Sequence, residues 1–319
     1  NNTGDEREIF NLEDKTNEIL GSQTGVTLTY YLNQMDADND TNAISSPYEN
    51  TVNNEIIYIR AQSDATGCYS TTTLELIVNP LPQSNNDPVN LTLCDDNNPG
   101  DEQEIFDLTL NETYILNGEI GVTPTYYISE NDANLGLDEI TVPNAFSNTV
   151  NPQTVYVRVT NDITNCFVVV DFDLLVDPLP DSMVVSDLVE CEDNTDGFYD
   201  FELESKTTEV LNGQDSTIFQ VTYHQSQSDA DTGNAPLASP FTNTISNRQE
   251  IFVNLLNTTT GCFVTDQSFF IEVQEDANAN QNMQRFVICD YYEDNDGYAQ
   301  FDLSTRDAEV LNGQNPLIY

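Results

Sequence analysis

N-N-P-G-D-E-Q-E-I-F-D-L (97–108) restates N-N-T-G-D-E-R-E-I-F-N-L (1–12) with changes at only three positions. The same frame returns as C-E-D-N-T-D-G-F-Y-D-F-E-L (191–203) and C-D-Y-Y-E-D-N-D-G-Y-A-Q-F-D-L (289–303). The cysteines set the period. Cys68, Cys166 and Cys262 stand 98 and 96 residues apart (166−68, 262−166), and Cys94, Cys191 and Cys289 stand 97 and 98 apart (191−94, 289−191). The first series keeps the contexts A-T-G-C-Y, I-T-N-C-F and T-T-G-C-F. A fixed period of this length denotes a tandem array of small domains. The expected boundaries are 1–82, 83–180 and 181–276, with 277–319 opening a further unit. Residue 1 then falls just past the place of an earlier cysteine and residue 319 falls in mid-unit, as expected for a segment of a longer array.

One unit, read along its length, predicts strands. V-N-L-T-L (89–93) precedes Cys94, and E-I-F-D-L (104–108) follows an acidic loop. T-L-N-E-T-Y-I-L-N-G (109–118) reads as a short helical turn closed by Gly118. T-P-T-Y-Y-I-S (123–129), an N-D-A turn and T-V-Y-V-R-V-T (154–160) come next. N-D-I-T-N turns the chain into F-V-V-V-D-F-D-L-L-V (167–176), where Phe172, Leu174 and Val176 alternate with Asp171 and Asp173, the mark of a strand with one wet face. Many short strands with frequent turns predict an all-β fold: tandem immunoglobulin-like antiparallel β-sandwich repeats in an extended array. The chain has no tryptophan, so the buried Trp of antibody domains is absent. P-L-P at 80–82 and at 178–180 marks short, semi-rigid joints.

The charge excludes whole classes of partner. With 55 acidic residues against 8 basic, the net charge is −47. Nucleic acid and anionic membranes both demand clustered Lys and Arg, so neither is a partner, and no apolar run suits membrane insertion. The acidity keeps a long fibre soluble and self-repelling. An apolar fraction of 38%, with 15 Tyr and 15 Phe, is too high for a disordered chain.

Six cysteines in register, without C-x-x-C and with a single histidine, point to disulfides and hence to an oxidising, extracytoplasmic setting. Two pairings respect the repeat. Neighbours in sequence give Cys68–Cys94, Cys166–Cys191 and Cys262–Cys289. Pairing within units gives Cys94–Cys166 and Cys191–Cys262, with Cys68 and Cys289 bonded outside the segment. A final strand separates Cys166 from Cys191 by about 40 Å. The first and last strands of a unit run parallel, which places Cys94 and Cys166 at one pole and favours pairing within units.

No catalytic constellation emerges: P-loop, G-x-S-x-G and H-E-x-x-H are all missing. His224 takes the place of Tyr31 and Tyr127 in the other units and reads as a partly exposed strand residue. The acidic loops are the one candidate ligand site. Glu192, Asp193, Asn194 and Asp196, and likewise Asp290, Asp294 and Asp296, supply hard oxygens beside a turn glycine, which suits calcium as the only implied cofactor. They are not EF-hands, since the twelfth position falls on Leu203 and Leu303. T-G (3–4) and P-G (99–100) replace D-G in the first two units. Tyr30, Tyr31, Tyr126 and Tyr127, if exposed, would offer platforms to surface polysaccharide. Sequons stand at Asn39, Asn90, Asn111 and Asn257.

Several of these motifs together resemble a known family. They are C-D/E-x-x-x-D-G-x-x-x-F-D/E-L (191–203, 289–303), V-L-N-G-Q (210–214, 310–314), V-T-Y-x-x-S-Q-S-D-A-D (221–231), Y-V-R-V-T (156–160) and V-N-P-L-P (78–82). They resemble tandem repeats of very large flavobacterial surface proteins exported by the type IX secretion system, such as the SprB-type gliding-motility adhesins. The resemblance covers essentially the whole segment. It implies a cell-surface, outer-membrane-associated filament that adheres to a substratum, with the secretion and gliding machinery and the neighbouring repeats as partners. D-S-M (181–183) and D-S-T (215–217) are similar to the O-glycosylation signal of exported proteins in these bacteria, which makes Ser182 and Ser216 candidate sites. A glycan-binding array and a non-catalytic spacer of a secreted polysaccharide-degrading protein are the alternatives.

Overall fold

The computed structural model describes residues 4–85, 87–192, 196–277, 279–290 and 296–313. It divides into two compact units: Asn1–Leu93 with Gln103–Val176, and Cys94–Glu102 with Asp177–Tyr319.

In the first unit the strands Val26–Tyr31, Glu55–Ser63 and Tyr69–Leu76 form a three-stranded sheet in that order. Ile9–Phe10 pairs with Tyr48–Glu49 in a small second layer. The same plan recurs further on with one strand more. Leu91–Cys94, Phe167–Asp177, Gln153–Asn161 and Val122–Tyr127 form a four-stranded sheet, and Ile105–Phe106 pairs with Phe146–Ser147. Valines drive the pairing: Val155 faces Phe172 and Val157 faces Val170 across antiparallel strands. These β-branched and aromatic pairs suit a pleated, half-buried surface. Their inner faces join Phe106, Leu108, Ile115, Tyr126 and Leu174 in one core. Phe172, Leu174 and Val176 are buried while Asp171 is exposed, as the alternation predicts.

The second unit repeats the arrangement with Leu188–Glu192, Ser268–Glu275, Arg248–Asn257 and Phe219–His224, joined by the short strand Phe263–Val264. Asp200–Phe201 pairs with Phe241–Thr242. Leu188–Glu192 runs parallel to Ser268–Glu275, so an otherwise antiparallel sandwich carries one parallel edge pair. The fold is all-β, a series of immunoglobulin-like modules.

Short helices also recur, and the sequence hides them. The expected N-D-A turn is part of the helix Glu130–Leu135, whose Ser129 hydroxyl accepts the Asp132 N–H at 3.1 Å. Asn33 and Ser226 cap Gln34–Asn39 and Gln227–Thr232 in the same way. These helices are six residues long, too short to print a helical period. The helical turn at 109–118 is present as Glu112–Leu116, but Asn117 at φ 47° takes the left-handed cap position expected of Gly118.

Candidate functional site

Cys94 ends the strand Leu91–Cys94, and Cys262 opens the strand Phe263–Val264. The two form a disulfide with a Cα–Cα distance of 5.6 Å and a sequence separation of 168. A turn built by the local sequence presents Cys262. Asn257 N–H donates to the Cys262 carbonyl at 2.8 Å, and Cys262 N–H donates to Thr260 Oγ1 at 3.2 Å. Thr66 and Thr164 receive the N–H of Cys68 and Cys166 in the same manner. Beside the bond, Asp95 N–H donates to the Asp177 carbonyl at 2.9 Å, and that oxygen lies 3.9 Å from Cys262 Sγ. Cys262 is fully buried.

This bond corrects both expected pairings, Cys94–Cys166 and Cys191–Cys262. The first and last strands do run parallel, but Cys94 ends its strand where the expected pairing needs it at the start. Cys191 lies near the end of the first strand, beside Gln274, which is 12 residues beyond Cys262 (274−262). Extended chain of that length spans up to about 40 Å, far outside disulfide reach. Cys94 likewise lies by Asp177, 11 residues past Cys166 (177−166). Within a module the two cysteine positions therefore occupy opposite ends, and Cys94 bonds instead to Cys262 in the next repeat. Cys68, Cys166, Cys191 and Cys289 form no disulfide among the described residues.

The loop after each first-strand cysteine has a shared construction. Asp95 Oδ2 accepts the Gly100 N–H at 2.6 Å, Glu192 Oε1 accepts the Gly197 N–H at 2.6 Å, and Asp290 Oδ2 accepts the Gly297 N–H at 3.1 Å. The second carboxylate oxygen of each is buried without a hydrogen-bond partner. Gly197, at φ 77°, has no room for a side chain: a Cβ there would meet Asn247 Oδ1 at 2.5 Å. Asp196 and Asp296 are exposed and accept the N–H of Phe198 and Tyr298, each at 2.9 Å, as Asx turns do. Asp193, Asn194 and Asp294 lie outside the described residues. Among the described residues no three His, Cys, Asp or Glu side chains gather as a metal-binding group.

A buried asparagine that composition alone does not mark clasps the far side of each loop. Asn50, Asn148 and Asn243 precede a threonine in successive repeats and are 0%, 0% and 3% exposed. Asn243 Oδ1 accepts the Tyr199 N–H at 2.8 Å, and its Nδ2 donates to the carbonyls of Gly197 and Ile245 at 2.7 and 2.8 Å. Asn50 and Asn148 accept from Glu8 and Glu104 and donate to Val52 and Val150. Their spacing of 98 and 95 residues (148−50, 243−148) was the available signal.

Other candidate positions resolve plainly. Tyr30, Tyr31, Tyr126 and Tyr127 are all buried, so they present no platform to a glycan. Burial first, and then the charge of Glu112, push the Tyr126 phenol well above its ordinary value; its hydroxyl donates to Glu112 Oε1 at 3.0 Å. Burial likewise pushes Tyr223 up to about 12. His224 is fully buried, not partly exposed, with Nδ1 2.8 Å from the Asn234 carbonyl and Nε2 2.9 Å from Thr222 Oγ1. It occupies the interior slot that tyrosine fills in the sister modules. Ser182 is half-buried and donates to Asp266 Oδ2 at 3.1 Å, whereas Ser216 is exposed. Asn39 and Asn90 are exposed. Asn257 is built into the cysteine turn, and Asn111 is buried with its amide on the Val89 carbonyl.

Modules of this plan, with a cysteine bond that joins one to the next, define a class of disulfide-linked tandem β-domains. A profile of the Flavobacterium inter-domain disulphide bond domain matches residues 1–82, 90–180 and 187–279, and the chain belongs to that family. No curated protein matches it. Among solved structures, an I-band fragment of titin is 12% identical, with 80% of this chain and 89% of that chain covered and a TM-score of 0.27. Drosophila N-cadherin EC1–4 is 10% identical, with coverage of 79% and 67% and a TM-score of 0.21. Sidekick-1 immunoglobulin domains are 8% identical, with coverage of 79% and 66% and a TM-score of 0.19. These likenesses are distant and none bears on function. Among the described residues no helix is long and apolar enough to cross a membrane.

Proposed function

We propose that this chain is a tension-carrying structural segment of a long adhesive filament on the flavobacterial cell surface, of the gliding-motility adhesin kind, exported by type IX secretion. The Cys94–Cys262 bond carries this reading. Pulled from its ends, a chain with that bond transmits force from Cys94 to Cys262 directly and leaves the residues between them out of the covalent path. Unfolding inside the loop then adds no length. A filament that adheres while its anchor moves needs that property, and an enzyme does not. Family membership supports the surface setting, and a disulfide of this kind requires an oxidising compartment.

The same step of 168 residues accounts for the other cysteines. On that plan a second-series cysteine pairs with the first-series cysteine of the repeat that follows, as Cys94 does with Cys262. The outcome is an array in which overlapping bonds tie each module to the next. Neighbouring repeats are thereby covalent partners, and the secretion and gliding machinery are the partners implied by the resemblance.

The test is detachment under flow. Cells carrying the intact surface protein are compared with cells carrying Cys94→Ser and Cys262→Ser, with surface amount measured by antibody. The reading predicts detachment at lower shear for equal surface amounts. Equal resistance to shear would overturn it.

A further inference from the structure

We propose that the loop 94–102 holds a hard divalent cation, calcium by its chemistry, on the carboxylate of Asp95. The inference does not depend on the filament reading. Asp95 is 2% exposed, and its carboxylate is tied into the loop: Oδ2 accepts from Gly100 N–H at 2.6 Å and from Glu102 N–H at 3.4 Å. Its own N–H is held by the Asp177 carbonyl. Oδ1 is therefore fixed in place, buried, and without a hydrogen-bond partner. A carboxylate oxygen taken from water and left without a partner is costly. No ion pair among the described residues reaches Asp95. A cation or a hydrogen-bond donor from solution would satisfy it.

Repetition makes a local accident a poor explanation. Glu192 is 8% exposed and Asp290 is half-buried; each engages its loop glycine with one oxygen and leaves the other buried and unpartnered. The side-chain length differs between Asp95 and Glu192, yet the arrangement is kept. The chemistry selects the ion. Among the described residues three acidic, His or Cys side chains do not converge here, so a zinc site is out of reach, and carbonyl and water oxygens would complete the shell. Hard oxygens of that mixed kind suit calcium. With one buried carboxylate per loop, affinity falls in the extracellular range, roughly 0.1–1 mM.

Calcium chloride is titrated into the intact 319-residue chain by calorimetry, in parallel with Asp95→Asn and with Asp138→Asn, an exposed acid on a surface turn, as the control. The wild type and the control bind with the same stoichiometry, and Asp95→Asn binds one calcium fewer. Equal stoichiometry in all three, or no heat at millimolar calcium, overturns the proposal. Because Asp95→Asn alters a buried group, hydrogen exchange at Gly100 and Glu102 in the wild type supplies a second reading. Calcium slows exchange of both amides by tenfold or more if the ion sits on Asp95. Unchanged exchange at saturating calcium means that water fills the place, and the proposal fails.

Discussion

The first and third repeats contain nearly the same elements and differ at one edge. In the first, the strand Tyr69–Leu76 lies at the edge of a three-stranded sheet, with Tyr69, Ser70, Thr72 and Thr73 exposed. In the third, the equivalent strand Ser268–Glu275 is covered by Leu188–Glu192, Leu188 packs on the core, and Phe269, Ile271 and Val273 are buried. The strand that makes the difference carries the second-series cysteine, Cys191 here and, in the second repeat, the cross-linked Cys94. Core closure and covalent linkage thus fall on one element, and whatever strips that strand away strains both.

The largest break in the comparison comes from the bond itself. Cys262→Ser removes the closure of a 168-residue loop, worth about 5 kcal/mol in the chain-entropy account, although measured values often fall lower. Denaturant unfolding of the third repeat shifts accordingly, while the first repeat, whose Cys68 forms no disulfide among the described residues, keeps its midpoint. A smaller effect is expected at the loop clasp. Asn243→Ala leaves the Tyr199 N–H and the Gly197 and Ile245 carbonyls without their partner and costs the third repeat about 1–3 kcal/mol by the same measurement.

Smaller again is an exchange between repeats. Arg60 and Arg158 donate to helix-end carbonyls, at Ala37 and Ala133, and stack on Tyr69 and Phe167 at 3.3 and 3.4 Å. Asn254 reaches the matching Ala230 carbonyl at 2.7 Å without any stacking. Arg158→Asn therefore keeps a donor for the Ala133 carbonyl but forfeits the stacking and the bonds to Thr160 and Asn134, about 1 kcal/mol, whereas Arg158→Ala leaves both carbonyls bare and costs more. Alkaline pH gives the mildest test. Tyr30, Tyr126 and Tyr223 all have raised phenols, chiefly through burial. The unfolded phenol ionises near 10 and the folded one higher, so their contribution is complete below pH 10 and is lost as pH climbs from 10 toward 12 and above. Tyr223→Phe should flatten that alkaline limb for the third repeat alone.

What could be read in the sequence follows from range. The period and the strand at 167–176 are local patterns, and both were legible. Helices of six residues show less than two turns and vanish into an Asn- and Asp-rich background. Asn50, Asn148 and Asn243 vanish there too, since nothing but their spacing distinguishes them from other asparagines. The disulfide escaped for a different reason. Strand polarity within a module was deducible, but Cys94 closes its strand instead of opening it, and the true partner belongs to another repeat. His224 shows the limit of substitution by position: its alignment with tyrosine removed any catalytic claim, yet only packing reveals that it is buried.

Pulling the 319-residue chain from both ends, oxidised and then reduced, tests the central claim most directly. Reduction of a bond spanning 168 residues should lengthen the fully extended chain by roughly 550–600 Å at 3.3–3.6 Å per residue. A gain of only about 240 Å would mean that Cys94 is bonded to Cys166. No gain at all would mean that the chain carries no such cross-link, and the account of a tension-carrying segment would fall with it.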